Sequence, residues 1–245
     1  MLDIAPAVYY TYYCKVETLK GTNQMNFVVI DTETTPITKT DNVRADLMRV
    51  YDFGYIIAND KGETLVTRSF VISDTFYNDQ LMNSAYYADK LPQYRAGLGK
   101  EWEVVSLAEA KRIFAKDCRA YNVHKAWAFN GRFDMGTLDA TINDYSNGFV
   151  RYFLPYGLKW YDIMEFAKNT ICNTKKYREF CESNGYMTKH KTPRPRTTAE
   201  IVYRYISKTD FVERHTALAD CEIELEILRK CFKTRKKQPK PLRNW

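Results

Sequence analysis

The sequence predicts an α/β fold built on a mixed sheet, and three observations carry that prediction. Phe27-Val28-Val29-Ile30 is a continuous apolar run, as expected of a strand buried on both faces. Two strand-like segments flank the turn signal Asn59-Asp60-Lys61-Gly62 and read as a hairpin. Beyond Ser106, short apolar runs alternate with helical periodicity.

The elements follow in order. Residues 1–25 have no clear period, are rich in Tyr and Thr, and read as an N-terminal extension. The first strand opens after Met25 and stops at Asp31, with Pro36 preventing a long continuation. A second strand, residues 50–58, sets Phe53, Tyr55 and Ile57 on one face, and a third, residues 65–72, returns beside it. Residues 73–102 are polar, aromatic and interrupted by Pro92, Gly97 and Gly99, so they read as an irregular or partly helical insertion.

Ser106-Leu107-Ala108-Glu109 is a capping box that opens a helix to about Arg119. A short strand at 125–129, a helix at 132–145 and a fifth strand at 158–161 come next, with Asp162 placed to start another helix. Thr197-Thr198-Ala199-Glu200 is a second capping box. The last helix carries Leu218, Cys221, Leu225 and Leu228 as a buried stripe.

At 245 residues the chain suits one decorated domain. A hydrophobic fraction of 45% and a charged fraction of 27% exclude a collagen, a disulfide miniprotein and a wholly disordered chain. No apolar stretch reaches the roughly 20 residues that cross a bilayer. The first residues lack a basic segment followed by an apolar one, so no signal peptide and no membrane partner are expected. The six cysteines form no CxxC pair, which suits thiols in a reducing, intracellular setting. Cys172, Cys181 and His190 fit no common zinc spacing.

Charge is uneven. The net charge of +7 falls to −1 without the eight cations of residues 229–245, a stretch that holds no acid. A second basic run is Lys189, Lys191, Arg194 and Arg196, broken by Pro193 and Pro195. Each run is either a solvated surface or a contact for a polyanion such as nucleic acid.

Three acidic groupings bear on chemistry. Asp31 and Glu33 are two residues apart at a strand end, so both carboxylates reach one face, and two anions that close call for a cation. Oxygen-only ligands suit Mg²⁺ or Mn²⁺. In Asn130-Gly131-Arg132-Phe133-Asp134, a strand ends and Asp134 lands in the first turn of a helix, where the dipole favours an anion. Asn130 either caps that turn or touches a ligand, and Phe133 is either core or a stacking platform. His215 and Asp220 are five residues apart, about 500° around a helix, so His215 belongs on the loop that leads into the helix carrying Asp220.

Together, Asp31-x-Glu33, Asn130-x-x-Phe133-Asp134 and His215-x-x-x-x-Asp220 resemble the three motifs of the DEDDh 3′–5′ exonucleases, relatives of RNase T and oligoribonuclease. The resemblance covers residues 26–232, with 1–25, the insertion at 73–102 and a basic tail at 233–245 as additions. It implies an RNase H-like fold with a five-stranded mixed sheet flanked by helices. It implies that Asp31, Glu33, Asp134 and Asp220 hold two divalent ions, Mg²⁺ or Mn²⁺. His215 would act as general base on the attacking water, and nucleoside 5′-monophosphates would leave the 3′ end of single-stranded DNA or RNA. Asp162 resembles a family position that is not a metal ligand.

Thr32, Thr34, Asn130 and Phe133 are the expected substrate contacts, and Tyr86, Tyr87 and Tyr94 the aromatic residues to test for base stacking. Two alternatives stand beside this reading: a nucleic-acid-binding module of the same fold with weak catalysis, and a hydrolase of short oligonucleotides. A polymerase or replication partner, a homodimer, and a cytoplasmic or phage-encoded setting are all compatible with the resemblance.

Overall fold

The computed structural model describes residues 26–35, 48–83, 85 and 88–243. The N-terminal extension and the pair Tyr86 and Tyr87 lie outside them. A mixed sheet of six strands forms the centre, in the order β4-β3-β2-β1-β5-β6. These are β1 (Asn26–Thr35), β2 (Arg49–Ala58), β3 (Thr64–Ile72), β4 (Glu103–Val105), β5 (Val123–Ala128) and β6 (Lys159–Asp162). β2 runs antiparallel to both of its neighbours, β1 and β3, and β5 and β6 run parallel to β1.

Two points correct the sequence expectation. The sheet has six strands rather than five, because the residues just after the insertion form β4, which lies parallel to Phe70–Ile72 of β3. β1 also runs on through Asp31 and Glu33 to Thr35, paired with β2 throughout, with one irregularity between Glu33 and Thr34. The acids stay in the ladder because strand pairing uses only the backbone.

Strand periodicity then sorts side chains to two faces. Phe27 and Val29 of β1, with Trp127 and Tyr161, pack against α6 (Ile163–Ala167), α7 (Lys175–Ser183), α8 (Ala199–Ser207) and α9 (Ala217–Lys233). Val28 and Ile30 face the other way, into a core shared with α4 (Leu107–Ala120) and α5 (Gly131–Tyr145). Continuing the alternation puts Asp31 and Glu33 on the α9 side and Thr32 on the α5 side.

The insertion has its own small core, in which Phe76, Met82, Leu91, Tyr94 and Trp102 pack on Tyr51 and Val71 of the sheet. It contains α1 (Ser73–Phe76), α2 (Asp79–Asn83), a 3₁₀ turn at Ala88–Lys90 and α3 (Leu91–Gly97). Capping explains several helix starts. Ser106 accepts from Glu109 N at 3.2 Å at the head of α4, and Asp162 accepts from Glu165 N at 3.2 Å at the head of α6. At α8 the cap is Thr198, one residue after the Thr197 that opens the predicted box.

The far end of the segment read from the sequence as a basic tail meets the outer strand at Trp160. Leu242 N donates to Trp160 O at 2.7 Å, Trp160 N donates to Arg243 O at 3.2 Å, and Arg243 pairs with Asp139. This bridge partners the backbone of Trp160 on the outer edge of β6, where unpaired groups would otherwise be open to another chain.

One glycine lets α9 approach the sheet. A Cβ on Gly54 would lie 2.5 Å from Leu218 N and 2.6 Å from Ala217 C, both backbone atoms that cannot swing away. Gly54 is the β2 partner of Asp31, so this close approach brings the head of α9 onto the acidic residues. Gly54→Ala is expected to cost roughly 1–3 kcal/mol through overpacking, read as a lower urea midpoint. It should also reduce activity by lifting α9 off the site.

Candidate active site

The predicted carboxylates meet at the end of the sheet where β1 passes under the head of α9. Carboxylate oxygens of Asp31, Glu33 and Asp220 all lie within 4.8 Å of one another. Asp134 joins from the first turn of α5, where Thr32 Oγ1 donates to its Oδ1 at 2.8 Å. The two faces of β1 thus cooperate: Asp31 and Glu33 project into the site, and Thr32 between them anchors Asp134 from the far side. His215 precedes α9, as the five-residue spacing requires, with φ +52°. Its ring lies with Glu213 and Asp220 in a second group whose ligand atoms are within 4.8 Å of each other, Nδ1 being 3.5 Å from Glu213.

Among the expected substrate contacts, Asn130 lines the acidic well together with Phe129, Thr197 and Thr198. It adopts a left-handed conformation, φ +62°, at the head of α5, and its side chain makes no cap bond. The side-chain capping role is therefore not taken up; Asn tolerates this backbone region better than most residues. Phe133 is half-buried beside it. The two threonine hydroxyls are engaged inside the protein: Thr32 holds Asp134, and Thr34 Oγ1 donates to Met48 Sδ at 3.7 Å.

Four residues that the motifs do not mark complete the site. Glu224, one turn beyond Asp220 on α9, is buried and accepts from Phe129 N at 3.2 Å. Its spacing of four from Asp220 puts it on the same helix face. Glu213 lines the well. Asp52 on β2, opposite Glu33 in the ladder, is fully buried and accepts from Tyr94 OH at 2.6 Å and from Ala217 N at 3.0 Å. Lys90 Nζ donates to Arg214 O and lies 3.4 Å from His215 O.

The insertion therefore holds the acidic end of the fold in two places, through Tyr94 and Asp52 to the first residue of α9 and through Lys90 to the His215 loop. Tyr94, expected as a stacking surface, is wholly buried and serves this anchor instead. Tyr94→Phe should leave Asp52 one donor short and cost about 1–3 kcal/mol, measurable by chemical denaturation.

The electrostatics of the site are those of crowded anions. Burial pushes the Asp31 carboxyl well above its ordinary range, and Glu224, Asp134, Asp220 and Glu33 push it further. Asp134 is raised to about 7 by burial, against the opposing Thr32 hydrogen bond. Asp220 is raised to about 8 by burial and then by Glu213 and Asp52. Glu33 and Glu224 are raised for the same first reason. His215 is lowered, by burial and then by Lys90, which keeps the imidazole neutral and able to accept a proton.

One oxygen of Asp220 is buried with no hydrogen-bond partner among the described residues. Converging carboxylates with an orphaned oxygen form the donor set of a hard divalent cation, so the residues present fit such an ion.

Comparison with solved structures agrees with this architecture. The nuclease domain of 3′hExo, described as a DEDDh family member and bound to rAMP, aligns with a TM-score of 0.60 over 91% of this chain and 99% of that one, at 14% identity. The chain has the fold of the DEDDh exonucleases. A 3′-exonuclease solved with a histone mRNA stem-loop gives a TM-score of 0.57 at 15% identity, over 87% of this chain and 84% of the other. The complex of E. coli exonuclease I with single-stranded DNA, in its zinc-bound form, gives 0.53 at 16% identity, over 87% of this chain but 41% of the longer enzyme. No protein-family model and no curated protein sequence matches the chain. Among the described residues, no helix is long and apolar enough to cross a membrane.

Proposed function

We propose that the protein is a metal-dependent 3′–5′ exonuclease that removes nucleoside 5′-monophosphates from single-stranded DNA or RNA. The observation that carries this reading is the convergence of Asp31, Glu33 and Asp220 within 4.8 Å, with His215 grouped on the same Asp220. The DEDDh fold and the polynucleotide complexes of its structural neighbours support it.

Asp31, Glu33, Asp134 and Asp220 would hold the divalent metal, Mg²⁺ or Mn²⁺, as two ions. Bound there, the metal supplies Lewis-acid stabilisation of charge on the phosphoryl oxygens. Neutral His215 takes the proton of the attacking water, with Glu213 beside Nδ1 to orient the ring and steady the imidazolium. Asn130 contacts the terminal nucleotide from the rim, and half-buried Phe133 flanks it. Glu224 holds the Phe129 backbone, and through it the strand end that leads to Asn130 and Asp134.

The well is small, about 390 Å³, which suits one terminal nucleotide rather than a duplex. A polymerase or replication protein is the proposed partner, in a proposed intracellular setting.

Product analysis tests this directly. A 5′-labelled single strand in Mg²⁺ should shorten one nucleotide at a time from its 3′ end and release 5′-monophosphates. Internal cuts from the outset, or 3′-monophosphate products, would overturn the assignment.

A further inference from the structure

Beside the acidic well lies a larger cleft of opposite charge. Its volume is about 1130 Å³, and Lys168, Lys175, Arg178, Lys191 and Arg194 line it with no Asp or Glu among the lining residues. Thr197 lines both this cleft and the acidic well, so the two meet there. One wall is the π-helical turn Lys168–Cys172 and the first turn of α7, capped by Thr174. The other is the proline-broken basic run noted in the sequence.

That run is held in place by its backbone. Thr188 N donates to Arg194 O at 2.8 Å, Arg194 N to Thr188 Oγ1 at 3.0 Å, and Arg196 N to Tyr186 O at 2.9 Å. Tyr177 OH of α7 donates to Arg196 O at 2.7 Å and ties the two walls together.

The charges are available for a ligand. Lys168, Lys191 and Arg194 have no ion-pair partner among the described residues. Lys175 and Arg178 meet Glu179 and Glu182 at 3.7 and 3.6 Å in exposed pairs along their own helix, and such pairs contribute little. The cleft is larger than the roughly 300–1,000 Å³ of ordinary small-ligand sites, and no Phe, Tyr or Trp lines it. Cations without aromatic platforms contact phosphates rather than bases.

We propose that this cleft binds the phosphodiester backbone of the substrate strand on the 5′ side of the nucleotide being removed, the strand crossing Thr197 to enter the acidic well. The inference rests on the exonuclease reading for its direction. The fixed charges argue for this path, because phosphates are repelled by the carboxylates around the well and attracted along the Lys168–Arg194 side. Contact would be blind to sequence and sensitive to salt.

The test measures affinity apart from cleavage. Fluorescence anisotropy of a labelled single-stranded 20-mer and a labelled dinucleotide is followed across a salt series in EDTA, with Mg²⁺-dependent cleavage assayed in parallel. The triple variant Lys168→Gln, Lys191→Gln, Arg194→Gln is compared with Lys61→Gln, Lys116→Gln, Arg119→Gln, which removes the same charge from exposed positions elsewhere.

The cleft variant should bind the 20-mer at least about tenfold more weakly. Its slope of log K against log salt should be shallower by about 2, at about 0.7 per lost contact to a single strand. Its preference for the 20-mer over the dinucleotide should shrink, while the control keeps both. The exposed pair Lys191→Gln, Arg194→Gln, which leaves the half-buried Lys168 in place, should show about two-thirds of the slope change.

Equal slopes for cleft and control variants would overturn the proposal and leave the exonuclease reading intact. So would binding of inorganic phosphate in the cleft without any change in strand affinity. A reduced slope in a protein whose wild type never shortens the strand would support the cleft as a strand-binding surface and remove the exonuclease reading instead.

Discussion

Asp220→Asn should abolish cleavage while making the metal-free protein more stable at pH 8. Asp220 contributes to both acidic groups of the site and keeps one oxygen without a partner. A bound divalent cation contributes several kcal/mol of charge stabilisation in the transition state, so losing a ligand should lower kcat by on the order of 10³-fold or more.

Stability moves the other way because the native state raises this carboxyl to about 8, against about 4 in an unfolded chain. Between those values the folded protein binds more protons than the unfolded one, so metal-free stability falls as pH rises through the window. Asp134, raised to about 7, adds to the same trend. Removing the charge at Asp220 should raise the metal-free Tm at pH 8 by about 3 °C or more, the change that about 1 kcal/mol produces in a domain of this size. The gain should vanish near pH 4. Thermal unfolding in EDTA at both pH values, with activity in Mg²⁺, checks both halves.

His215→Ala should lower kcat by about 10²–10⁴-fold, the usual contribution of a positioned general base. The ring is half-exposed, grouped with Glu213 and Asp220, and held neutral by burial and by Lys90. A base must be deprotonated to act, so the wild-type rate should fall on the acid side with a midpoint below that of an ordinary histidine. The variant should lose that limb while its KM changes little. An acid limb shared by wild type and variant would show that His215 does not take the proton.

Much of this site is legible in the sequence because its logic is local. The run Phe27–Ile30 fixes a central strand, period two puts Asp31 and Glu33 on one side, and the five-residue spacing separates the His215 loop from the helix of Asp220. What the sequence hides is held together by tertiary contact. β4 is three residues long and exists because β3 offers it an edge. Tyr94 resembles any aromatic residue in a polar insertion until Asp52 is found 2.6 Å from its hydroxyl.

Glu224 had a local signal in its spacing of four from Asp220, but an acid on an otherwise apolar stripe resembles a helix edge. At the end of the basic segment after Phe232, Leu242 and Arg243 bond to the backbone of Trp160, a pairing that no charge pattern encodes. The basic run at 189–196 was visible as charge, but its place beside the acidic well follows only from the fold.

The proposed divalent cation site lies among the carboxylates at the head of α9. Titration of Mn²⁺ into the wild-type protein and into Asp31→Asn, followed by thermal unfolding at pH 7.5 (a condition chosen near neutrality, about where these acids still crowd one another), tests it most directly. Binding to the native state alone at 100 times Kd stabilises by about 2.7 kcal/mol, so the wild-type Tm should rise saturably by roughly 5–10 °C. Asp31→Asn should show little or no saturable rise. A wild-type Tm that does not respond to Mn²⁺, or one that responds identically in the variant, would contradict the account.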